Sequence, residues 1–177
     1  MTKQTAILAA GCFWCIESAF NLVKGVISAT SGYCGGDAAD ANYKMVCSGL
    51  TEHAEAVLVE FDDEVISYTE ILEIFFFLHD PTQLNRQGND IGRQYRSAIF
   101  YLSELQKQQA ESLIMQLTQQ AIFAGPIITQ VVEAMPFYPA EDYHQGYYNE
   151  NPNQGYCQFI IAPKMAKFAD KFSHLIA

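Results

Sequence analysis

Positive charge is what this 177-residue chain has least of: ten Lys and Arg stand against twenty Asp and Glu, a formal net charge of −10 at pH 7. So few cations leave no clustered basic patch to neutralise phosphates, which argues against nucleic acid or an anionic membrane as a partner. Charge of both signs is sparse, at 17% of residues, while 50% are hydrophobic, so the chain as a whole is not disordered. No apolar run approaches the ~18 residues that a membrane-spanning helix needs. Leu8-Ala9-Ala10-Gly11-Cys12 superficially matches a lipid-attachment site. The stretch before Cys12 is nevertheless too short for a charged region plus the roughly 7–15-residue apolar core of a signal peptide. Also missing are a phosphate-binding P-loop, a dinucleotide-binding glycine pattern, His-Glu-x-x-His and Gly-x-Ser-x-Gly. The five cysteines are an odd number, which does not suit a fully paired extracellular framework. The expectation is a soluble, cytoplasmic chain forming one domain, 1–177, large enough to fold without disulfides or a structural metal.

What is present falls into a regular order. Thr5 to Gly11 reads as a buried strand, and Ile16, Ala19, Phe20 and Val23 then follow helical spacing up to a stop at Lys24-Gly25. Val26 to Tyr33 is a second strand, residues 36–52 a long loop, and Ala54 to Phe61 an alternating strand with Glu55, Val57, Val59 and Phe61 on one face. Ser67-Tyr68-Thr69-Glu70 is a capping box that opens a helix with the stripe Ile71, Ile74, Phe75, Leu78, stopped by Asp80-Pro81. After a polar loop, Tyr95 to Tyr101 is a strand, and Ser103 opens a helix burying Ala110, Leu113, Ile114 and Leu117. Ile127 to Glu133 reads as a strand, 135–157 as irregular and aromatic-rich, Phe159 to Ala162 as a short strand, and Pro163 as the start of a terminal helix. Residues 5–101 thus run β-α-β-β-α-β, which predicts an α+β two-layer sandwich with a ferredoxin-like core and a C-terminal extension.

The strongest chemical signal is Gly11-Cys12-Phe13-Trp14-Cys15, set between a strand and the first turn of a helix. A thiol there faces unpaired backbone N–H groups and the positive end of the helix dipole, which predicts a depressed pKa and a nucleophilic Cys12. Cys12 and Cys15 at C-x-x-C spacing favour redox chemistry, and a general thiol–disulfide exchanger is one reading. A four-cysteine zinc module from Cys12, Cys15, Cys34 and Cys47 is another, disfavoured because the second pair lacks the close spacing of zinc ligands. Glu55 shares its strand face with apolar residues, so its carboxyl is expected to stay protonated near neutral pH and to act as a proton donor; the competing reading is a strand-end Glu in solvent. His53 shares that face on the same pattern and reads more simply as a structural histidine. Asp90 and Tyr95 flank a Gly-bearing loop, Tyr43 lies in the long loop before Cys47, and the later tyrosines (Tyr143 to Tyr156) read as packing or as the wall of a pocket.

These residues together resemble the A-type peptide methionine sulfoxide reductases. The resemblance runs through Gly11-Cys12-Phe13-Trp14, Gly32-Tyr33 with Gly35-Gly36, Tyr43 with Val46-Cys47-Ser48-Gly49, His53-Ala54-Glu55, His79-Asp80-Pro81-Thr82 and Arg86 to Asp90. It continues through Gln94-Tyr95-Arg96-Ser97, Pro136-Phe137-Tyr138, Ala140 to Gln145 and Gly155-Tyr156-Cys157, nearly the whole chain. It implies that Cys12 attacks the sulfoxide sulfur, that Glu55 protonates the departing oxygen with Tyr43 and Tyr95 as hydrogen-bond donors, and that Asp90 holds substrate backbone or a water network. Phe13 and Trp14 would form an apolar box for the ε-methyl group, selecting the S epimer of methionine sulfoxide, protein-bound or free. Cys12 sulfenic acid would then condense with a second thiol. Cys157 matches the resolving position of many relatives, whereas Cys15 departs from the glycine most of them carry. An i, i+3 helical pair is close without loop motion, but the mobility expected of an irregular tail favours Cys157. The resemblance further implies a role in protein repair under oxidative stress, no cofactor or metal, thioredoxin as external reductant, and a monomer.

Overall fold

In a computed structural model, residues 2–176 are described. The chain begins β1 (Lys3–Ala10), α1 (Phe13–Phe20), β2 (Val26–Cys34), α2 (Tyr43–Cys47), β3 (Ala54–Asp62), α3 (Tyr68–Phe77). A two-residue hairpin follows, β4 (Arg86–Gln87) with β5 (Asp90–Ile91), then β6 (Ser97–Tyr101), α4 (Glu104–Gln119) and β7 (Gln130–Glu133). The last elements are β8 (Tyr138–Pro139), α5 (Tyr147–Glu150) and α6 (Ala162–Lys171). The main sheet has the order β7-β6-β1-β3-β2-β8. Its central four strands are antiparallel neighbours, whereas β7 lies parallel to β6 after the α4 crossover. The β6-β1-β3-β2 arrangement is the expected split β-α-β-β-α-β core, and the fold is α+β as predicted from the element order.

Alternation in β3 decides where the site forms. Val57, Val59 and Phe61 enter the large core under the helices, while Ala54 and Ala56 enter a small one on the opposite face with Ile7, Ala9, Ala98 and Phe100. That second face is paved with small side chains and covered by Ala134 and Phe137 rather than by a helix. Glu55 therefore points under α1 with the apolar set. The predicted capping box at α3 is formed in both directions: Ser67 Oγ accepts from the Glu70 N–H at 3.1 Å, and Glu70 Oε1 accepts from the Ser67 N–H at 3.1 Å. Its apolar stripe, Ile71, Ile74, Phe75 and Leu78, is buried.

Several local readings are corrected. Phe159 to Ala162 is no strand: Cys157–Ile161 is a π-helical turn that runs straight into α6. Helical spacing lets Ile161, Met165 and Phe168 enter the core together, and leaves Phe159 72% exposed. Residues 36–52 are not wholly loop, because Asn42 caps α2 by accepting from the Met45 N–H at 2.9 Å. Tyr95 ends a 3-10 turn before β6 instead of starting the strand. Helix α1 stops at Phe20, four residues before Lys24, and the Asn21 side chain accepts from the Ala29 N–H to tie that end to β2.

Candidate active site

Gly11 turns the chain sharply out of β1 with φ +84°, and a Cβ there would lie 2.7 Å from the Cβ of Gln87. The next residue, Cys12, is the N-cap of α1, extended at φ −60° and ψ 122° and half-buried. Its side chain makes no capping hydrogen bond to the first turn, so the helix-terminus contact that the sequence predicts is not made, and the Trp14 backbone only weakly favours the thiolate. The expected depression of its pKa is overturned. Burial pushes the Cys12 thiol well up, and Cys15, to which it donates a hydrogen bond, and the nearby Glu55 carboxyl push the same way. Cys15, fixed one turn on inside the core, is lowered instead, first by that hydrogen bond and then by the Lys164 ammonium.

Glu55 lies 2% exposed beneath the helix start, where its Oε1 accepts the Phe13 N–H at 3.2 Å. Burial pushes its carboxyl up to about 8, against the partial compensation of that hydrogen bond. The expectation of a neutral acid beside Cys12 therefore agrees with the geometry. A cavity of about 220 Å³ is lined by Cys12, Phe13, Trp14, Tyr43, Glu55, Asp90 and Tyr95, the set singled out from the sequence, together with Gln154 and Tyr156. Tyr43 and Tyr95 arrive from α2 and the 3-10 turn, and both phenols reach Cys47, which is half-buried rather than enclosed. Desolvation raises both phenols, so they are donors at any ordinary pH.

The far wall comes from residues that spacing could not assign. Trp14 stacks on Tyr147, with ring centroids 3.9 Å apart and planes 7° from parallel, and meets the edge of Tyr156 at 5.9 Å. Its Nε1–H donates to His144 Nδ1 at 3.0 Å. Tyr156 O–H donates to Asp90 Oδ2 at 2.6 Å and joins the β5 hairpin to the C-terminal segment across the cavity mouth. Two buried or half-buried carboxylates hold this wall. Glu17 of α1, pushed up by burial, accepts the Gly146 N–H at 2.9 and 3.0 Å. Glu141 accepts the Tyr33 O–H at 2.8 Å and the Tyr43 N–H at 3.0 Å. The sequence signal for Glu17 was a carboxylate inside an apolar-rich stretch, and for Glu141 its place in the Ala140 to Gln145 segment of the resemblance. His53, on the edge of β3, bonds the Asp37 carbonyl at 2.8 Å and does not line the cavity.

Cys157 does not line the cavity either. It is fully buried at the start of the π-helical turn, where its N–H donates to Gln154 Oε1 at 3.1 Å, so the irregular tail that favoured it as resolving thiol is absent. Cys34, also buried, donates to the Met135 carbonyl at 3.4 Å on the opposite sheet face. Among the described residues no group of three or more His, Cys, Asp or Glu is placed to hold a metal ion.

Known proteins resemble this chain in sequence and fold. The family model for peptide methionine sulfoxide reductase matches residues 4–175. The peptide methionine sulfoxide reductase MsrA of Chromobacterium violaceum is 52% identical over 173 residues, 98% of each chain. Mxr1 of Saccharomyces cerevisiae in its reduced form superposes with a TM-score of 0.82 at 32% identity, covering 88% of this chain and 89% of that one. The same yeast protein in complex with Trx2 superposes at 0.59 with 23% identity, covering 82% and 84%. A thiol on a helix start facing a protonated carboxyl across an aromatic-walled cavity suits sulfoxide chemistry, the similarity spans the whole fold, and on both grounds the chain belongs to the peptide methionine sulfoxide reductase family.

Proposed function

We propose that this enzyme reduces the S epimer of methionine sulfoxide, free or within proteins, by attack of Cys12 on the sulfoxide sulfur while Glu55 protonates the oxygen. The observation that carries the reading is the shared 220 Å³ cavity, in which the Cys12 sulfur and a carboxyl that burial holds protonated to about pH 8 stand opposite Trp14. A sulfoxide oxygen leaves poorly as an oxyanion, so an acid that is neutral at working pH supplies the proton when the S–O bond lengthens. Tyr43 and Tyr95 donate to the same oxygen, Phe13 and Trp14 enclose the methyl group, and Asp90, fixed by Tyr156, orients the substrate backbone.

Protons and electrons balance through the thiol pair. The Cys12 proton passes to the Glu55 carboxyl as that carboxyl gives its own to the oxygen and the Cys12 sulfur bonds to the sulfoxide sulfur. The oxygen, protonated by Glu55, ends on Cys12 as a sulfenic acid, and methionine leaves. Cys15 then attacks the Cys12 sulfur, the S–O bond breaks, and the Cys15 thiol proton leaves with the hydroxide as water. Two thiols are thereby oxidised to one disulfide and one sulfoxide is reduced. Cys15 rather than Cys157 forms this first bond, because it sits one helical turn from Cys12, its N–H on the Cys12 carbonyl at 3.3 Å, whereas Cys157 is fully buried on a separate turn. A thioredoxin then reduces the disulfide, a reading supported by the Trx2 complex of the yeast relative. The chain works as one catalytic domain and a monomer. Its cysteines are free thiols, which suits a reducing, cytoplasmic setting, and no described helix is long and apolar enough to cross a membrane.

Single-turnover reduction of the separated epimers tests this reading. One equivalent of methionine per enzyme is expected from the S epimer, with rates at least about a hundredfold lower for the R epimer. Peptide mass mapping of the product is expected to find Cys12 joined to Cys15 with Cys157 free. A Cys12–Cys157 bridge in the wild type would reverse the order of thiols, and equal rates for both epimers would refute the methyl box.

A further inference from the structure

We infer that Glu17 is a positioning residue for the methyl box: its buried carboxyl, by holding the Gly146 N–H, keeps the Tyr147 ring flat against Trp14. This role rests on the reading of Phe13 and Trp14 as the enclosure for the substrate methyl group, and adds to it what fixes the outer face of that enclosure. Residues three apart on a helix are neighbours on one side of it, and Trp14 and Glu17 are such a pair on α1, the helix that Cys12 caps. One rigid element therefore carries the nucleophile, the indole beside it and the carboxyl one turn on. The Gly146 N–H meets both oxygens of that carboxyl, at 2.9 and 3.0 Å. Gly146 is left-handed, at φ +64°, and is followed at once by Tyr147, whose ring centroid lies 3.9 Å from that of Trp14. The chain of contacts closes on itself: Glu17 to Gly146, Tyr147 to Trp14, and one helical turn back to Glu17.

Stability alone is a poor account of this carboxyl. It is buried, and among the described residues no cation pairs with it. Its surroundings offer the Gly146 N–H and, close by, the Ser31 hydroxyl, against a desolvation that pushes it up. Enclosing a carboxyl for so little return costs more than an apolar side chain of the same length would. What it supplies is local. The chain before Gly146 has other anchors: Gln145 accepts the Ser31 N–H at 2.9 Å and donates to the Ser31 carbonyl at 2.8 Å, and Glu141 takes the Tyr33 O–H and the Tyr43 N–H. From Gly146 to Glu150, among the described residues, the bond to Glu17 is the only hydrogen bond that reaches another element. At four residues α5 is too short to hold its own orientation. Without Glu17 the Tyr147 ring is free to slide off the indole, which then keeps only His144 Nδ1 and the edge of Tyr156.

Trp14 is the only tryptophan of the chain, so its emission and near-ultraviolet dichroism report the stack without any turnover. Glu17→Met keeps the length of the side chain and removes the acceptor, whereas Glu17→Gln keeps an acceptor oxygen. In the full enzyme Glu17→Met is expected to shift the Trp14 emission and weaken its dichroism. In single turnovers it is expected to raise the half-saturating concentration of N-acetylmethionine S-sulfoxide amide about tenfold, with the saturated rate lowered less than about threefold. Glu17→Gln is expected to restore most of both. In a Tyr147→Leu background Glu17→Met is expected to add less than about twofold, because it acts through that ring. Unchanged emission and half-saturation in Glu17→Met overturn the role, and so does full additivity with Tyr147→Leu. A loss that falls on thermal stability and is not recovered by Glu17→Gln makes Glu17 merely structural, which overturns it too. Should Glu17→Met not fold, Glu17→Asp decides, since it keeps the carboxyl and shortens its reach by one methylene: a wild-type Trp14 spectrum and half-saturation there overturn the role. A wild type that releases no methionine would sink the catalytic reading instead, and the spectral comparison would still decide on Glu17.

Discussion

Cys12→Ser is expected to release no methionine from the S-sulfoxide, a loss of at least about a thousandfold in the first step. The hydroxyl of serine stays protonated where a thiol can ionise, and oxygen has no counterpart to the sulfenic acid that must carry the transferred oxygen. The loss should appear in a single turnover, where methionine is counted per enzyme and no reductant is present. Cys15→Ser should behave differently. The nucleophile is intact, so one methionine per enzyme is still expected, but without a Cys12–Cys15 bridge and with slow subsequent turnovers. Cys12→Ser and Cys15→Ser giving the same first-turnover yield would remove the distinction between attacking and resolving thiol.

Glu55→Gln is expected to slow the same step by about 10²–10⁴-fold, the range for loss of a positioned general acid. In the wild type the step should weaken as pH rises through about 8, where the carboxyl ionises, and in the variant that limb of the pH profile should vanish. The stability of the wild type should fall over the same rise in pH. The carboxyl is raised in the folded chain from 4.5 to about 8, so its contribution is fully present below the unfolded value and is lost as pH climbs towards and through 8. A Gln keeps an oxygen for the Phe13 N–H and cannot ionise. Thermal unfolding at pH 9 should therefore occur at a temperature no lower than in the wild type, and higher by roughly 3 °C or more if the release is only about 1 kcal/mol. A variant that is both inactive and less stable at pH 9 would mean that Glu55 is structural rather than an acid kept against its own solvation.

Much of this site was legible because strand and helix periods are local. Alternation from Ala54 to Phe61 put Glu55 on the apolar face, and a Gly-Cys step between strand and helix put Cys12 on a helix N-terminus; both placements hold. Capping chemistry at Ser67 and Ser103 likewise depends on residues three positions apart. The misreadings fall where neighbours in sequence do not decide. Cys157-Gln158-Phe159-Ile160-Ile161 has the composition of a strand, but contact with α1 and the core selects a π-turn and helix. Glu17 and Glu141 look like surface acids until Gly146, Tyr33 and Tyr43 are brought to them from over 90 residues away.

By itself, then, the order and period of residues determined the β-α-β-β-α-β core, the place of Cys12 at a helix start and that of Glu55 on the apolar strand face, since each follows from backbone geometry within a few residues. Only the assembled structure decided the burial that raises the Cys12 thiol, the enclosure of Cys157, and the wall built from Trp14, Tyr147 and Tyr156. Those depend on how much water the packed chain excludes from a group and on which distant dipoles replace it, and no local pattern encodes either.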